Sequence, residues 1–297
     1  MEFLEKMNAA MDYLESNLDG EVDYAVLAGQ AGCSEYHFSR MFAFIAGQSL
    51  SLYIRRRRLS NAAVELAENG AGLLDTAVKY GYSSVDAFGR AFRDVHGISP
   101  SKAGGMAKVR LFPRIHFHIH ISGGQEMTYR FVEKEAFRVV GTMKRVPLVF
   151  QGPNPDIEEM WKSLDMGRIQ RWKALSNTEP AGIISASTRF SEDRMTGKGT
   201  LDHYIGAATT GEPQSGEAVL EVAPGLWAVF ENVGKFPETL QILWGRIYSE
   251  WFPSVAYEVA PGPEILWNEG PDTNSPTFRS EIWIPVQKKR NGSAPPA

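Results

Sequence analysis

The sequence predicts an α plus α+β chain. An all-α tandem helix-turn-helix domain covers residues 1–105, and a duplicated strand-helix-strand-strand domain covers residues 126–290. Three observations carry this. Apolar residues recur every three to four positions in the first part and alternate in the second. Two glycine-bearing turns in the first part stand in one register. In the second part the order strand, helix, strand, strand occurs twice.

The first helix rests on Leu4, Met7, Met11, Leu14 and Leu18, and Gly20 ends it. A short helix follows over Tyr24–Ala31. Gly32-Cys33-Ser34 makes a turn in which glycine takes a left-handed conformation cheaply and serine caps the next helix. That helix, EYHFSRMFAFIAG, lines up Phe38, Met41, Phe42 and Ile45. A long helix runs through Arg58 and Leu66 to the break NGAG. The short helix Leu73–Tyr80, the turn Gly81-Tyr82-Ser83 and the helix Ser84–His96 then repeat the motif, with Val85, Phe88, Ala91, Phe92 and Val95 inward. Gly97 closes that helix, and SPSK opens a last short one. LAGQAGCSEYHFSRMFAFIAGQSL aligns without gaps over AVKYGYSSVDAFGRAFRDVHGISP, so Arg40 answers to Arg90. Two short-helix, turn, second-helix units are the helix-turn-helix pattern.

The totals narrow the class. Apolar residues make up 43% of 297, enough for a packed core. No apolar run is long enough for a membrane span. The N-terminus has no secretory pattern. The lone Cys33 excludes an internal disulfide and a cysteine-rich zinc site. A cytoplasmic protein without cofactor is expected. The net charge of −4 does not advertise nucleic-acid binding, but it averages over a basic run, Arg55–Arg58. Those four arginines are expected to split between phosphate contacts and packing stems, since four consecutive helix positions cannot share one face.

Residues 20–104, including GYSSVDAFGRAFRDVHGISPSK, resemble the DNA-binding domain of AraC/XylS transcription regulators. The resemblance implies that both second helices enter the major groove of double-stranded DNA. Carried over by position, the first offers Ser34, Glu35, Tyr36, Ser39 and Arg40. The second offers Ser83, Ser84, Val85, Asp86, Gly89 and Arg90. The chemistry agrees for the arginines, which fork onto guanine or clamp phosphate, and for Ser34 and Ser84 at helix starts. Arg55 is expected on phosphate. Val85, Asp86 and Gly89 supply few donors, so weaker base discrimination or shape readout is expected in the second copy.

Residues 106–125 read as a linker and joining strand. In RIHFHIHISGG, His116, His118 and His120 alternate with apolar residues, about 6.5–7 Å apart on one strand face. Such histidines could share a zinc ion, but zinc sites draw a ligand from a second element and no other His or Cys cluster offers one. The expectation is a half-buried strand and no metal.

In the second domain FRVVGTMKRV, AGIISAST, DHYIGAAT, EAVLEVAPGLWAVFENVG, PEILWNEG and FRSEIWIPVQ read as strands, with helices over Glu158–Leu175 and Pro237–Phe252. NGSAPPA, residues 291–297, reads as a flexible tail. YRFVEKEAFRVVG, HYIGA, GLWAVFENVG and EIWIPV resemble the GyrI-like effector-binding domain, which is also attached to AraC-type heads in a Rob-like subgroup and to MerR-type multidrug sensors. All seven tryptophans lie in this domain. Trp172, Tyr204, Trp227, Trp244, Tyr248 and Trp283 are candidates for a cleft that takes flat, greasy cations.

Glu281 alternates with Ile282 in RSEIWIPV, among apolar neighbours. A carboxylate there either faces solvent on an edge strand or is buried in the cleft, where it would select a cation, and the resemblance implies the second role. Glu264 is a second, weaker candidate. The resulting expectation is a DNA-binding transcription regulator responsive to a hydrophobic, cationic small molecule. Two alternatives stay open. The C-terminal domain could hydrolyse reactive small molecules, with Glu281 and Tyr204 as base and orienter, or it could bind a protein such as RNA polymerase without a ligand.

Overall fold

Two glycines with left-handed backbone, Gly32 (φ 70°) and Gly81 (φ 82°), set the pattern of the first hundred residues. The computed structural model describes residues 2–68, 72–103, 109–117, 126–149, 153–192, 199–270 and 272–289. The chain divides into two compact units. The first takes the described residues of 1–39 and 48–117, the second those of 40–47 and 126–289.

Six helices build the helical region: α1 (Glu2–Ser16), α2 (Tyr24–Gln30), α3 (Glu35–Ala46), α4 (Leu50–Glu68), α5 (Leu73–Lys79) and α6 (Val85–His96). Each short helix ends in the same motif. The Cys33 N–H donates to the Ala28 carbonyl, and the Tyr82 N–H donates to the Ala77 carbonyl. The glycine between takes the left-handed turn, which L side chains resist. The Ser34 hydroxyl accepts from the His37 N–H and the Ser84 hydroxyl from the Ala87 N–H, capping α3 and α6. The gapless alignment of the two copies needs one correction. The turn glycines stand 49 residues apart and the capping serines 50, so the second turn holds one residue more. Phe38, Phe42, Phe88 and Phe92 are all buried. Burial of each such ring contributes on the order of 2–3 kcal/mol. Phe88 and Phe92 pack with Leu59, Ala62, Ala77 and Tyr82.

The four arginines of α4 are all tied inside the protein. Arg57 forks onto Glu15, with Nε–Oε1 at 3.0 Å and Nη2–Oε2 at 2.7 Å, and reaches the Phe112 carbonyl. Arg58 donates to the Leu18 and Gly20 carbonyls. Arg56 bonds Gln48 and lies over the Phe112 ring, and Arg55 pairs with Asp94.

Over residues 109–117 the expected joining strand is absent. Side chains hold this backbone instead. Ser60 accepts from the Phe112 N–H and Tyr53 from the Ile115 N–H, while the Asn8 amide bonds both the N–H and the carbonyl of Phe117. His116 is exposed. His118, His120, most of the linker and the tail lie outside the described residues.

The second unit is a nine-stranded sheet: β1 (Tyr129–Lys134), β2 (Phe137–Pro147), β3 (Ile183–Glu192), β4 (Gly199–Thr209), β5 (Ala218–Val222), β6 (Gly225–Val233), β7 (Tyr257–Val259), β8 (Glu264–Asn268) and β9 (Arg279–Lys288). The spatial order is β1-β6-β9-β8-β3-β4-β2-β5, with β7 on β9. Within it β6-β9-β8 mirrors β2-β4-β3, and the halves join where β8 pairs with β3. This is the duplicated strand-helix-strand-strand order. Glycine permits one close approach. Gly141 faces Gly206 across β2 and β4, and a Cβ on either would stand 2.0–2.1 Å from a carbonyl oxygen of the other strand.

Both expected helices are interrupted. The first divides into α7 (Pro155–Lys162) and α8 (Met166–Leu175), because Asp165 turns the chain and caps α8 by accepting from the Arg168 N–H. The second begins as α9 (Glu238–Arg246), widens into a π-helical turn at Ile247–Trp251 and ends in a helical turn at Phe252–Ser254. Pro253, inside that last turn, has no N–H to donate.

Candidate functional site: an exposed recognition helix and a guanidinium-filled acidic seat

On α6 the outward face is open. Ser83, Ser84, Asp86 and Arg90 are exposed. Arg90, Arg93, Asp86 and Val85 line a groove of about 340 Å³ that runs to Ser99 and Ser101. Gly89 leaves the floor bare, with no atom within 4 Å of where a Cβ would stand. Among the described residues Arg90 has no ion-pair partner, and it is exposed.

On α3 Glu35 is exposed and Ser34, Tyr36 and Ser39 are half-buried. Arg40, the counterpart of Arg90, is only 8% exposed. Its guanidinium forks onto Glu264, at 3.1 Å from Nε to Oε1 and 2.5 Å from Nη2 to Oε2. Both residues group in the second unit. The Tyr248 hydroxyl donates to Oε1 at 3.1 Å. The guanidinium carbon sits 4.0 Å from the centre of the Phe190 ring and 5.0 Å from that of Phe44. Phe44 stacks on Tyr248 at 4.5 Å and on Trp244 at 5.4 Å, within 9° of parallel. Glu264 is thus a buried carboxylate with three donors and a wall of aromatic rings.

Strand register explains its surroundings. Glu264 stands opposite Ser187, and Ser187 opposite His203, so the three share one sheet face. Ser187 Oγ lies 2.9 Å from His203 Nδ1. Burial pushes the His203 imidazole down to about 4, so it is neutral near pH 7.

Glu281 lies elsewhere. It shares a sheet face with Trp283, which pairs with Ile265, and hence lies opposite to Glu264. Its carboxylate pairs with Arg130 at 3.0 Å and accepts from Trp283 Nε1 at 2.8 Å. Tyr204, Trp227 and Trp283 pack with Phe137 and Val139 in that face's core, and burial raises the Tyr204 phenol. Trp172 belongs to a third place. It is buried with Met160 and Ile205 and donates to Glu217. Of the candidate aromatics, Tyr248 bonds Glu264, and Trp244 stacks with Phe44 and Tyr248. From the sequence Glu281 ranks above Glu264, and neither Phe44 nor Phe190 is a candidate. The usable signal for Glu264 was a carboxylate opening the apolar run EILW after a proline. Nothing local marks Phe44 or Phe190.

Among the described residues no group of three or more His, Cys, Asp or Glu could hold a metal ion, and no helix is long and apolar enough to cross a membrane.

The fold is a helix-turn-helix region followed by a duplicated sheet domain, and comparison with known proteins places both parts in families. Residues 127–287 match the GyrI-like small molecule binding domain and residues 27–104 a helix-turn-helix domain. The chain belongs to the GyrI-like family, with an AraC-type helix-turn-helix region before that domain. Curated relatives match the helical part. The HTH-type transcriptional activator AarP of Providencia stuartii is 37% identical over 89 residues, 30% of this chain and 66% of that protein. The multiple antibiotic resistance protein MarA of Salmonella typhimurium is 30% identical over 96 residues, 32% of this chain and 76% of that protein. A solved structure of SAV2435 bound to tetraphenylphosphonium is 21% identical at a TM-score of 0.43, covering 54% of this chain and 94% of that one. The chain spans just under two thirds of the length of AarP.

Proposed function

We infer that the chain is a transcription regulator that binds double-stranded DNA through its helix-turn-helix region and senses a hydrophobic cation in its GyrI-like domain. The observation that carries the reading is the buried Glu264 carboxylate among Tyr248, Phe44 and Phe190. Its negative charge is costly in such a place unless a cation meets it, and the Arg40 guanidinium holds that position here. The family description, small molecule binding, supports a ligand in this domain. The name of AarP, a transcriptional activator, supports regulation. The SAV2435 structure's lipophilic cation is a fact about that protein alone.

DNA contact is assigned to the exposed face of α6, with Arg90 reaching a base edge or phosphate and the Ser84 end of the helix presenting N–H groups to a phosphate. Arg90→Ala should lower specific DNA affinity by about 1–3 kcal/mol if Arg90 reads a base. Fluorescence anisotropy against an operator selected from random DNA measures this. Unchanged affinity would remove Arg90 from the DNA contact. A lipophilic cation returned chemically unchanged after incubation would support sensing, and turnover would favour hydrolysis.

A further inference from the structure

We propose that Glu264, Tyr248 and Phe190 form a seat for a planar guanidinium- or amidinium-type cation, and that Arg40 is its resident occupant, so that an effector of this class competes with Arg40. The proposal rests on the reading of the second domain as a cation sensor and narrows the class of cation.

Three features of the contact carry it. The first is the fork. Two guanidinium nitrogens meet two carboxylate oxygens side by side, a pairing that a planar group with parallel N–H donors makes and a tetrahedral cation cannot. The second is the pair of rings. The guanidinium carbon lies over Phe190 at 4.0 Å and over Phe44 at 5.0 Å, aromatic faces that attract a cation and on which a planar guanidinium stacks. The third is the extension. Phe44, Tyr248 and Trp244 stack nearly parallel beside the seat, an apolar run suited to a flat ring carried next to the charged end.

Burial makes occupancy of the seat close to obligatory. Arg40 is 8% and Glu264 6% exposed. If the guanidinium leaves, the carboxylate is stranded in a medium that penalises a lone charge. An effector that brings its own amidinium restores the pairing and frees Arg40, whose counterpart Arg90 stands in the open. A ligand without a planar cation cannot make this exchange.

The test is calorimetric titration of the full chain with benzamidine, an aromatic amidine, and with tetramethylammonium as the round comparator. A seat held by Arg40 lowers apparent affinity by the fraction of time it is free, so Arg40→Ala should bind benzamidine at least about tenfold more tightly than wild type. Adding Glu264→Gln should abolish that gain, and tetramethylammonium should gain less than about threefold. Arg40→Gln, which keeps a hydrogen-bond donor beside Glu264, serves if Arg40→Ala does not fold and should show the same order. Equal benzamidine affinity in wild type and the Arg40 variant overturns the proposal, as does a gain that survives Glu264→Gln. An equal gain for tetramethylammonium also overturns it, because it removes the planar preference. DNA binding by wild type is measured separately. Its absence would sink the regulator reading and leave the benzamidine comparison intact.

Discussion

Arg40 and Arg90 occupy the same place in two copies of one motif and live in opposite environments. Arg40 is buried, forked onto a carboxylate and clasped by two rings. Arg90 is exposed, beside a bare glycine, and lines an open groove. Their helices are capped alike and their flanking phenylalanines are buried alike. Duplication therefore preserves the scaffold and leaves the projecting side chain to its surroundings. Equivalence by position does not imply equivalence of role.

The largest expected contrast is in stability. Arg40→Met strands Glu264 and should cost about 3–5 kcal/mol, whereas Arg90→Met should stay within about 0.5 kcal/mol. Urea unfolding followed by tryptophan fluorescence reads the second unit, since all seven tryptophans lie between residues 161 and 283, and far-ultraviolet circular dichroism, to which the helical first unit contributes, reads the cost at Arg90. Equal costs would erase the distinction.

Much of this was legible in the sequence and some was not. The helix-turn-helix pairs were readable because periodicity, turn glycines and capping serines are local signals. The one-residue slip in the second turn escaped, because it moves the left-handed residue without disturbing the apolar register. The break before α8 was likewise hidden, although Asp165 is a good cap. The arginine run reads as split between phosphate contacts and packing stems, yet Arg57 and Arg58 are consumed by Glu15 and by backbone carbonyls distant in sequence. The two glutamates show the same limit. Glu264 and Glu281 both sit among apolar residues, and only strand pairing assigns them to opposite faces. Arg130 and Trp283 neutralise one, and Arg40 the other.

A second contrast concerns pH. His203 shares its sheet face with Glu264, and its folded value of about 4 lies below the ordinary 6.5. Between those values the unfolded chain binds a proton that the folded chain refuses. Stability is therefore lost as pH falls from about 6.5 toward 4 and levels off below that, by about 3 kcal/mol in full. His203→Gln should flatten that part of the profile, measured as unfolding free energy against pH. An unchanged profile would show that burial at His203 does not set it. The smallest effect returns to the matched caps. Ser34→Ala and Ser84→Ala should each cost about 1 kcal/mol. A large difference between them, read from thermal unfolding, would show that the two copies are not alike even at their helix starts.

The most direct test of the central claim is a double-mutant cycle on stability with Arg40→Met and Glu264→Leu. Each single change should cost several kcal/mol by stranding a buried charge, while the double variant should recover most of the loss, leaving a coupling above about 2 kcal/mol. Simple additivity, with no coupling between the two positions, would contradict the account.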